Sequence, residues 1–173
     1  MSTSTARQTE ALELTAPEKL NDLHDLSEFD CKEPSITDYL QKKARKAQAD
    51  RHAVVYVSCR KGTLVVMAYY TLSSGSVNRE NVVPKSHQRN SPAEHPITLL
   101  GRMGVSEAAQ GQGFSLDLLK DAIERAMTAA QSVASSAIVV HPLNDRLAEF
   151  YAKHAGFVPC PALSPVTMML PLR

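Results

Sequence analysis

The spacing of apolar positions changes about halfway along this chain, and the change predicts where one kind of structure gives way to another. HAVVYVSC (52–59) and GTLVVMAYYTLSSGSV (62–77) are dense in β-branched and aromatic residues, with Arg60-Lys61-Gly62 between them. Residue type and loop length predict a hairpin. After residue 96 the rhythm becomes strand, helix, strand, helix, strand. ITLLGRMGV reads as a strand and QGQGFS (110–115) as a turn. Leu116, Leu119, Ile123, Met127 and Ala130 mark one face of a helix, with Asp121–Arg125 and Lys120–Glu124 as i, i+4 pairs on its exposed side. SAIVVHP reads as a buried strand, NDRLAEFYAKHAG as a second helix ended by Gly156, and FVPCP and TMMLPL as the last strands.

The first fifty residues are less regular. ALEL (11–14) suits a short edge strand, and Pro17 places PEKLNDLHD in a short helix or turn. DLSEFDCKEPS reads as a loop. Ser35 with Asp38 resembles a capping box that opens SITDYLQKKARKAQAD, where Ile36, Tyr39, Leu40 and Ala44 face inward. Lys42, Arg45 and Lys46 share a second face of that helix at i, i+3, i+4. Residues 78–95 form a long polar, proline-containing loop, of a length more often functional or mobile than filler. The order predicts an α/β fold, a mixed sheet with helices on both faces. Residues 1–10 are expected to be a flexible leader and residues 11–173 one domain.

Composition narrows the class. A chain of 173 residues with 43% hydrophobic content can bury a core without staples, and a net charge of +1 names no partner. Three widely spaced cysteines (Cys31, Cys59, Cys160) argue against a disulfide framework and for a reducing, cytoplasmic setting. The six histidines show no zinc spacing, so no metal is expected; His141 reads as a strand-end residue near the site. MSTSTARQTE lacks the apolar core of a signal peptide, and no apolar run approaches the length of a membrane span.

The turn QGQGFS carries the chemistry. It lacks the lysine and spacing of a Walker A loop and the third glycine of the dinucleotide fingerprint. What remains is a strand feeding a helix N-terminus through glycines, where unpaired N–H groups and the helix dipole favour an anion. A turn that needs glycine only for its dihedrals is the alternative.

GRMGVSEAAQGQGFSLDLLKDAI resembles the acetyl-CoA motif of the GNAT N-acetyltransferases, (R/Q)-x-x-G-x-(G/A), with Gln110, Gly113 and Ser115 at the patterned positions. Ser115 stands where Gly or Ala is usual, and Phe114 where an aliphatic residue is common. The resemblance implies the GNAT acyl-CoA N-acyltransferase fold. It also implies that the turn, Gln110, Gly111, Gln112, Gly113, Phe114 and Ser115, holds the pyrophosphate of acetyl-CoA. The backbone of Met103, Gly104 and Val105 would hold the pantetheine arm and the acetyl carbonyl. In NDRLAEFYAKHAGF the family's tyrosine falls on Tyr151, ahead of Gly156-Phe157, as the acid that protonates the departing thiolate. Without the family Tyr151 reads as core. Asn144 would cap that helix and touch the coenzyme.

Beyond the motif, LNDLHDLSEFDCKEPSITDYLQKKA, VVMAYYTLSSGSV, HPITLLGRMGV and FYAKHAGFVPCP are similar to the GNAT toxins of bacterial toxin–antitoxin pairs. That resemblance implies acetylation of the α-amino group of aminoacyl-tRNA, a homodimer, and a ribbon-helix-helix antitoxin that also binds operator DNA. Lys42, Lys43, Arg45 and Lys46, then Arg79, Lys85 and Arg89, and Arg102 offer phosphate contacts, though KKARK alone reads equally as a solvated face. Glu13, Glu28 and Glu33 are acids with nothing to choose among them as general base, and an α-amine of pKa about 7.7–8.0 can react without one. A cysteine nucleophile has no histidine beside it. Two other readings stay open: an N-acetyltransferase for a small amine or protein N-terminus, and a non-catalytic binder whose coenzyme pocket Ser115 has spoiled.

Overall fold

The computed structural model describes residues 11–172, and the leader expected at residues 1–10 lies outside the described residues. Seven strands make one sheet: β1 (Glu18–Lys19), β2 (Val54–Cys59), β3 (Val66–Asn78), β4 (Glu94–Val105), β5 (Ala137–Val140), β6 (Val158–Pro159) and β7 (Met168–Pro171). Their order is β1-β2-β3-β4-β5-β7-β6, with β4–β5 the only parallel pair among the described residues. The crossover between those two strands is α3 (Phe114–Ala129), as a parallel connection requires. A further helix, α4 (Asp145–Ala155), links β5 to β6.

Alternation along the strands divides the core between the two faces. On one, Ala68, Tyr70, Leu100, Ile138 and Val140 pack against Leu118, Leu119, Ala122 and Ala126 of α3 and Tyr151 of α4. On the other, Val55, Val57 and Tyr69 meet Ile36, Tyr39, Leu40 and Ala44. These four lie on α1 (Pro34–Asp38), a π turn (Tyr39–Lys43) and the start of α2 (Ala44–Ala49). A third cluster, Val77, Val82, Ile97, Val139 and Met169, sits under the β3–β4 crossover.

Several local expectations change. Glu18–Lys19 is not a helix or turn but an edge strand paired with Tyr56 and Val57. ALEL contributes only one bridge, Leu14 to Arg60. The hairpin turn is longer than three residues, because Arg60 closes on Val65 with Gly62 in the left-handed region. The Ser35–Asp38 capping box does not form: the helix begins two residues earlier, at Pro34, with Glu33 as an N-cap that makes no side-chain cap. In α3 the buried stripe is Leu118, Leu119, Ala122 and Ala126, while Met127 is 54% exposed. Alanines let the helix lie close to the sheet, and the bulkier residues fall on its flanks. Asp121 and Arg125 do pair (2.9 Å), but partly buried, where Asp121 also receives the Tyr70 hydroxyl and Arg125 lies 4.3 Å over the Tyr56 ring.

The crossover at 78–95 is built rather than loose. β3 and β4 stay paired out to Asn78 and Glu94, and Gln88 donates to the carbonyls of Glu80 and Val82.

One irregularity opens the sheet. β4 pairs with β5 only from Ile97 to Leu100. Between Leu100 and Met103 the β3–β4 register shifts, so that Gly101 and Arg102 together oppose Thr71, whose hydroxyl accepts the Arg102 amide (3.0 Å). Such a bulge bends its strand. Past it β4 follows β3 alone to Val105, and β5 has already ended at Val140.

Candidate active site

Where β4 leaves β5, a cavity of about 600 Å³ opens between the end of β4, the turn after it, α4 and the segment before α1. Met103, Gly104 and Val105 line it from the strand, Gln110, Gly111, Gly113, Phe114 and Ser115 from the turn, and Asn144 and Tyr151 from α4. Gln112 stands outside the lining.

Most of this site is backbone. Gly111 (φ 79°) and Gly113 (φ 84°) lie in the left-handed region that L side chains rarely adopt, and nothing crowds the position where a Cβ would sit on either. Gly113 caps α3, and the first helical bond runs from Asp117 to Gly113 (3.3 Å). No hydrogen bond among the described residues leaves the amides of Gly111, Gln112 or Gly113. Ser115, at the second helical position, is exposed and its hydroxyl engages no other residue, so it is free to donate. The turn therefore presents bare amides at a helix N-terminus, a fit for a diphosphate.

The strand edge supplies a second row. The Ser106 amide donates to the Met67 carbonyl (2.7 Å), so residues 67 and 106 are a bonded pair and residues 69 and 104 are the next. The amides of Met103 and Val105 accordingly point away from β3, toward the edge that β5 has left. Gln110 closes the turn onto this strand: its side-chain amide donates to the carbonyls of Val105 (2.9 Å) and Cys31 (3.1 Å). Gly104 faces the other way. A Cβ there would meet Ile36 Cγ2 at 2.6 Å and Phe29 Cζ at 3.3 Å, so glycine is what lets α1 rest directly on β4.

Tyr151 is 7% exposed and flanked edge-on by Phe150 (5.6 Å) and Phe157 (5.5 Å). The Asn144 carboxamide accepts the Leu147 amide at the start of α4, and Gly156 turns the chain left-handed at its end, as expected. No residue bonds the Tyr151 hydroxyl, yet no buried side-chain polar atom among the described residues lacks a partner; the hydroxyl must therefore reach solvent, through the cavity. Burial pushes its pKa up to about 12, which keeps the phenol protonated and able to donate.

Cys31, Lys32, Glu33 and Ile36 form the opposite wall, with Arg146, Phe150 and His154 added from α4. Leu147, Phe150, Tyr151 and His154 recur at helical spacing, so periodicity alone could have pointed to His154. Nothing local marks the 31–36 wall. Of the three candidate acids, Glu13 pairs with Lys61 (2.7 Å), Glu28 lines neither the cavity nor its neighbours, and Glu33 lines the cavity.

The basic residues separate. Lys42, Lys43, Lys46 and Arg102 line a second opening of about 540 Å³ along β4, where the Arg102 guanidinium lies 4.1 Å over the Tyr39 ring. Arg45 turns away and donates to the His24 carbonyl (2.6 Å). Arg79 donates to the Ser91 carbonyl (2.8 Å), and neither it, Lys85 nor Arg89 lines either opening. Cys59 and Cys160 are buried, with burial raising both thiols, and His141 bonds the Thr167 hydroxyl outside the cavity. Glu18, His24 and Cys59 bring ligand-type atoms within 4.8 Å of one another. His24 already uses both nitrogens, Nδ1 accepting the Asn21 amide (3.0 Å) and Nε2 facing Glu18 (2.8 Å), and that arrangement is complete without an ion.

A splayed strand edge with outward amides, a glycine turn capping a helix and a protonated phenol facing the same cavity suit chemistry on an acyl-CoA thioester. The sequence model of the Acetyltransferase (GNAT) family matches residues 18–157, and the chain belongs to that family, as an acetyl-CoA-dependent N-acetyltransferase. It is 37% identical to a tRNA-acetylating toxin of Mycobacterium tuberculosis (strain ATCC 25618 / H37Rv) over 159 residues, covering 92% of this chain and 93% of that protein. The structure of AtaT complexed with acetyl-methionyl-tRNAfMet superposes with a TM-score of 0.84 at 29% identity, covering 92% of this chain and 95% of that one. AtaTR bound with AcCoA matches with a TM-score of 0.79 at 28% identity, covering 92% and 94%. The KacTA–DNA complex, at 24% identity and a TM-score of 0.76 over 92% and 94%, shares the fold.

Proposed function

We propose that this chain is the toxin of a toxin–antitoxin pair, transferring acetyl from acetyl-CoA to the α-amino group of aminoacyl-tRNA and so stopping translation. The observation that carries this reading is the position of the basic opening. Gly101 and Arg102 line it while the next two residues of the same strand, Met103 and Gly104, line the cavity. A phosphate backbone lying along Lys42, Lys43, Lys46 and Arg102 would bring its aminoacyl end to the reacting atoms within a few residues of β4. Such contacts position a nucleic acid without reading its bases. The relatives' partners accord with it: one binds an acetylated aminoacyl-tRNA, and an antitoxin accompanies AtaT in other complexes.

Each group in the cavity then has a task. The amides from Gly111 to Ser115 hold the diphosphate, with Ser115 Oγ as an added donor. The outward amides of Met103 and Val105 hold the pantetheine arm and stabilise charge on the acetyl oxygen. Tyr151 gives its proton to the departing thiolate. Asn144 holds the start of α4 beside them. Acetyl-CoA supplies the activated acetyl group, and the transfer is direct. By the same reading the protein acts as a cytoplasmic homodimer, neutralised by a ribbon-helix-helix antitoxin that binds operator DNA. Residues 11–173 act as one catalytic domain.

Labelled acetyl-CoA, the protein and bulk tRNA, either charged or stripped of amino acids, test the proposal. Label is expected in charged tRNA only, and it should be lost with Tyr151→Phe, which keeps the ring and removes the proton. Label in neither pool, with coenzyme still bound, would overturn the substrate and leave the chemistry to another amine.

A further inference from the structure

Recognition of the incoming amine is the step that backbone amides cannot perform. They donate hydrogen bonds, whereas an α-amine near neutral pH is half or more a cation and needs an acceptor. The residues lining the cavity carry Lys32, Arg146 and His154 but a single carboxylate, that of Glu33.

Glu33 occupies the N-cap of α1, where a side chain commonly folds back onto the helix's first amides. Here it does not: the amides of Ile36 and Thr37 are taken by the Glu33 backbone carbonyl (3.1 and 3.0 Å), and the side chain makes no cap. No ion pair holds its carboxylate either, because the neighbouring Lys32 is committed to Asp30 (3.1 Å) and Glu107 (3.2 Å). Glu33 is exposed, and among the described residues nothing bonds its carboxylate.

The backbone that carries it is nevertheless held in place. The segment carrying it is fastened to the coenzyme side of the site at four points. Gln110 donates to the Cys31 carbonyl (3.1 Å), Glu107 donates its amide to the Asp30 carbonyl (2.8 Å), Ser106 Oγ accepts the Asp30 amide (3.2 Å), and Lys32 reaches Glu107. Lys32 itself is left-handed (φ 65°) and is held by its amide's bond to Asp30 Oδ1 (2.9 Å). The wall that bears Glu33 is thus anchored to the turn and to the end of β4.

We infer that Glu33 binds the substrate's α-ammonium and accepts one of its protons, so that the neutral amine can attack. The inference rests on the amine-acceptor reading given above. The amine nitrogen forms a bond to the acetyl carbon while the carbon–sulfur bond breaks. Glu33 takes the first proton, which frees the nitrogen's lone pair. Tyr151 protonates the departing sulfur, the second proton shed by the nitrogen restores the Tyr151 phenol, and Glu33 returns its proton to solvent. The charged and titratable groups around this carboxylate are Lys32 beside it, Asp30 and Glu107 beyond Lys32, Cys31 on its own wall, and Arg146, Tyr151 and His154 across the cavity.

The test is the pH dependence of kcat/KM for charged tRNA in the wild type, Glu33→Gln and Glu33→Asp, with acetyl-CoA affinity and melting temperature measured alongside. Without the carboxylate, reactivity should follow the neutral fraction of the amine, which falls about tenfold per pH unit below a pKa of about 7.7–8.0. Glu33→Gln is therefore expected to lose about tenfold near pH 6.5 and far less near pH 9, with coenzyme affinity and melting unchanged and with partial recovery in Glu33→Asp. A Glu33→Gln profile that overlays the wild type overturns the inference and leaves the substrate reading intact. A wild type that labels no charged tRNA removes the substrate reading and this inference with it.

Discussion

The two sides of β4 offer their proposed ligands opposite means of binding. On the cavity side the groups on offer are mostly backbone, the bare amides of the glycine turn and the outward amides of Met103 and Val105, with Tyr151 the proposed acid among the side chains. On the other side the basic opening is made by long side chains, Lys42, Lys43, Lys46 and Arg102, two of them already paired, Lys42 with Asp38 (3.4 Å) and Lys46 with Asp50 (2.5 Å). A backbone site is rigid and recognises one shape, and it is disturbed mainly where a glycine gains a Cβ or a reacting side chain is lost. A side-chain site is adaptable and additive, and each change to it is felt only in part. The difference fits a protein that must hold one fixed cosubstrate and a large, conformationally variable polyanion.

If the comparison holds, the largest effect belongs to the phenol. Tyr151→Phe should lower kcat by about a hundredfold or more, as removal of a general acid does, with acetyl-CoA affinity nearly unchanged. The pH profile adds a sharper check. Because burial raises the Tyr151 pKa from 10 to about 12, the folded phenol stays protonated across the working range. The wild-type rate should therefore show no falling limb from Tyr151 up to pH 10. The sign for stability is the same: a folded pKa above the unfolded one favours folding fully below pH 10, and that contribution fades between pH 10 and 12. A bell with a descending limb near pH 9 would assign the acid to another group.

Next comes Gly104→Ala, which probes the rigid side through packing. A methyl at 2.6 Å from Ile36 Cγ2 forces α1 off β4, for a cost of about 1–3 kcal/mol. A lower melting temperature should accompany reduced turnover, since the displaced helix carries the wall at Cys31–Ile36. Unchanged melting would mean that α1 yields easily and that this side is softer than its geometry indicates.

How far the sequence leads also differs between the two sides. The turn and the caps of α4 are local patterns, readable from Gln110 to Gly156 without tertiary information, whereas Tyr151 stands out from the core only through the family resemblance. The 31–36 wall is not, because Gln110 and Cys31 lie 79 residues apart and meet only through folding. Glu18–Lys19 was expected in a helix or turn because proline and local polarity set that expectation, whereas its pairing with β2 is set by a strand 37 residues on (Lys19 with Tyr56). Lys42, Arg45 and Lys46 were expected to share one face on a regular 3.6-residue repeat. The π turn at Tyr39–Lys43, closed by the Ala44 amide on the Tyr39 carbonyl, widens the helix there, and Arg45 leaves the others for His24.

The smallest expected effects lie in the basic opening, and they are where the comparison can be broken most directly. Single Lys42→Ala, Lys43→Ala and Lys46→Ala changes should each raise KM for charged tRNA only a few-fold, leaving kcat and acetyl-CoA affinity untouched. If these lysines meet phosphates, each loss should also flatten the dependence of log KM on log salt by about one unit. Lys43, which has no ion-pair partner among the described residues, should flatten it more than Lys46, whose charge Asp50 already offsets at rest. Arg45→Ala serves as the internal control: its guanidinium is turned to the His24 carbonyl, so it should alter stability and leave the salt slope alone. A salt slope that responds to Arg45 and ignores Lys43 would place the polyanion on the opposite face of α2 and detach the basic opening from the reaction.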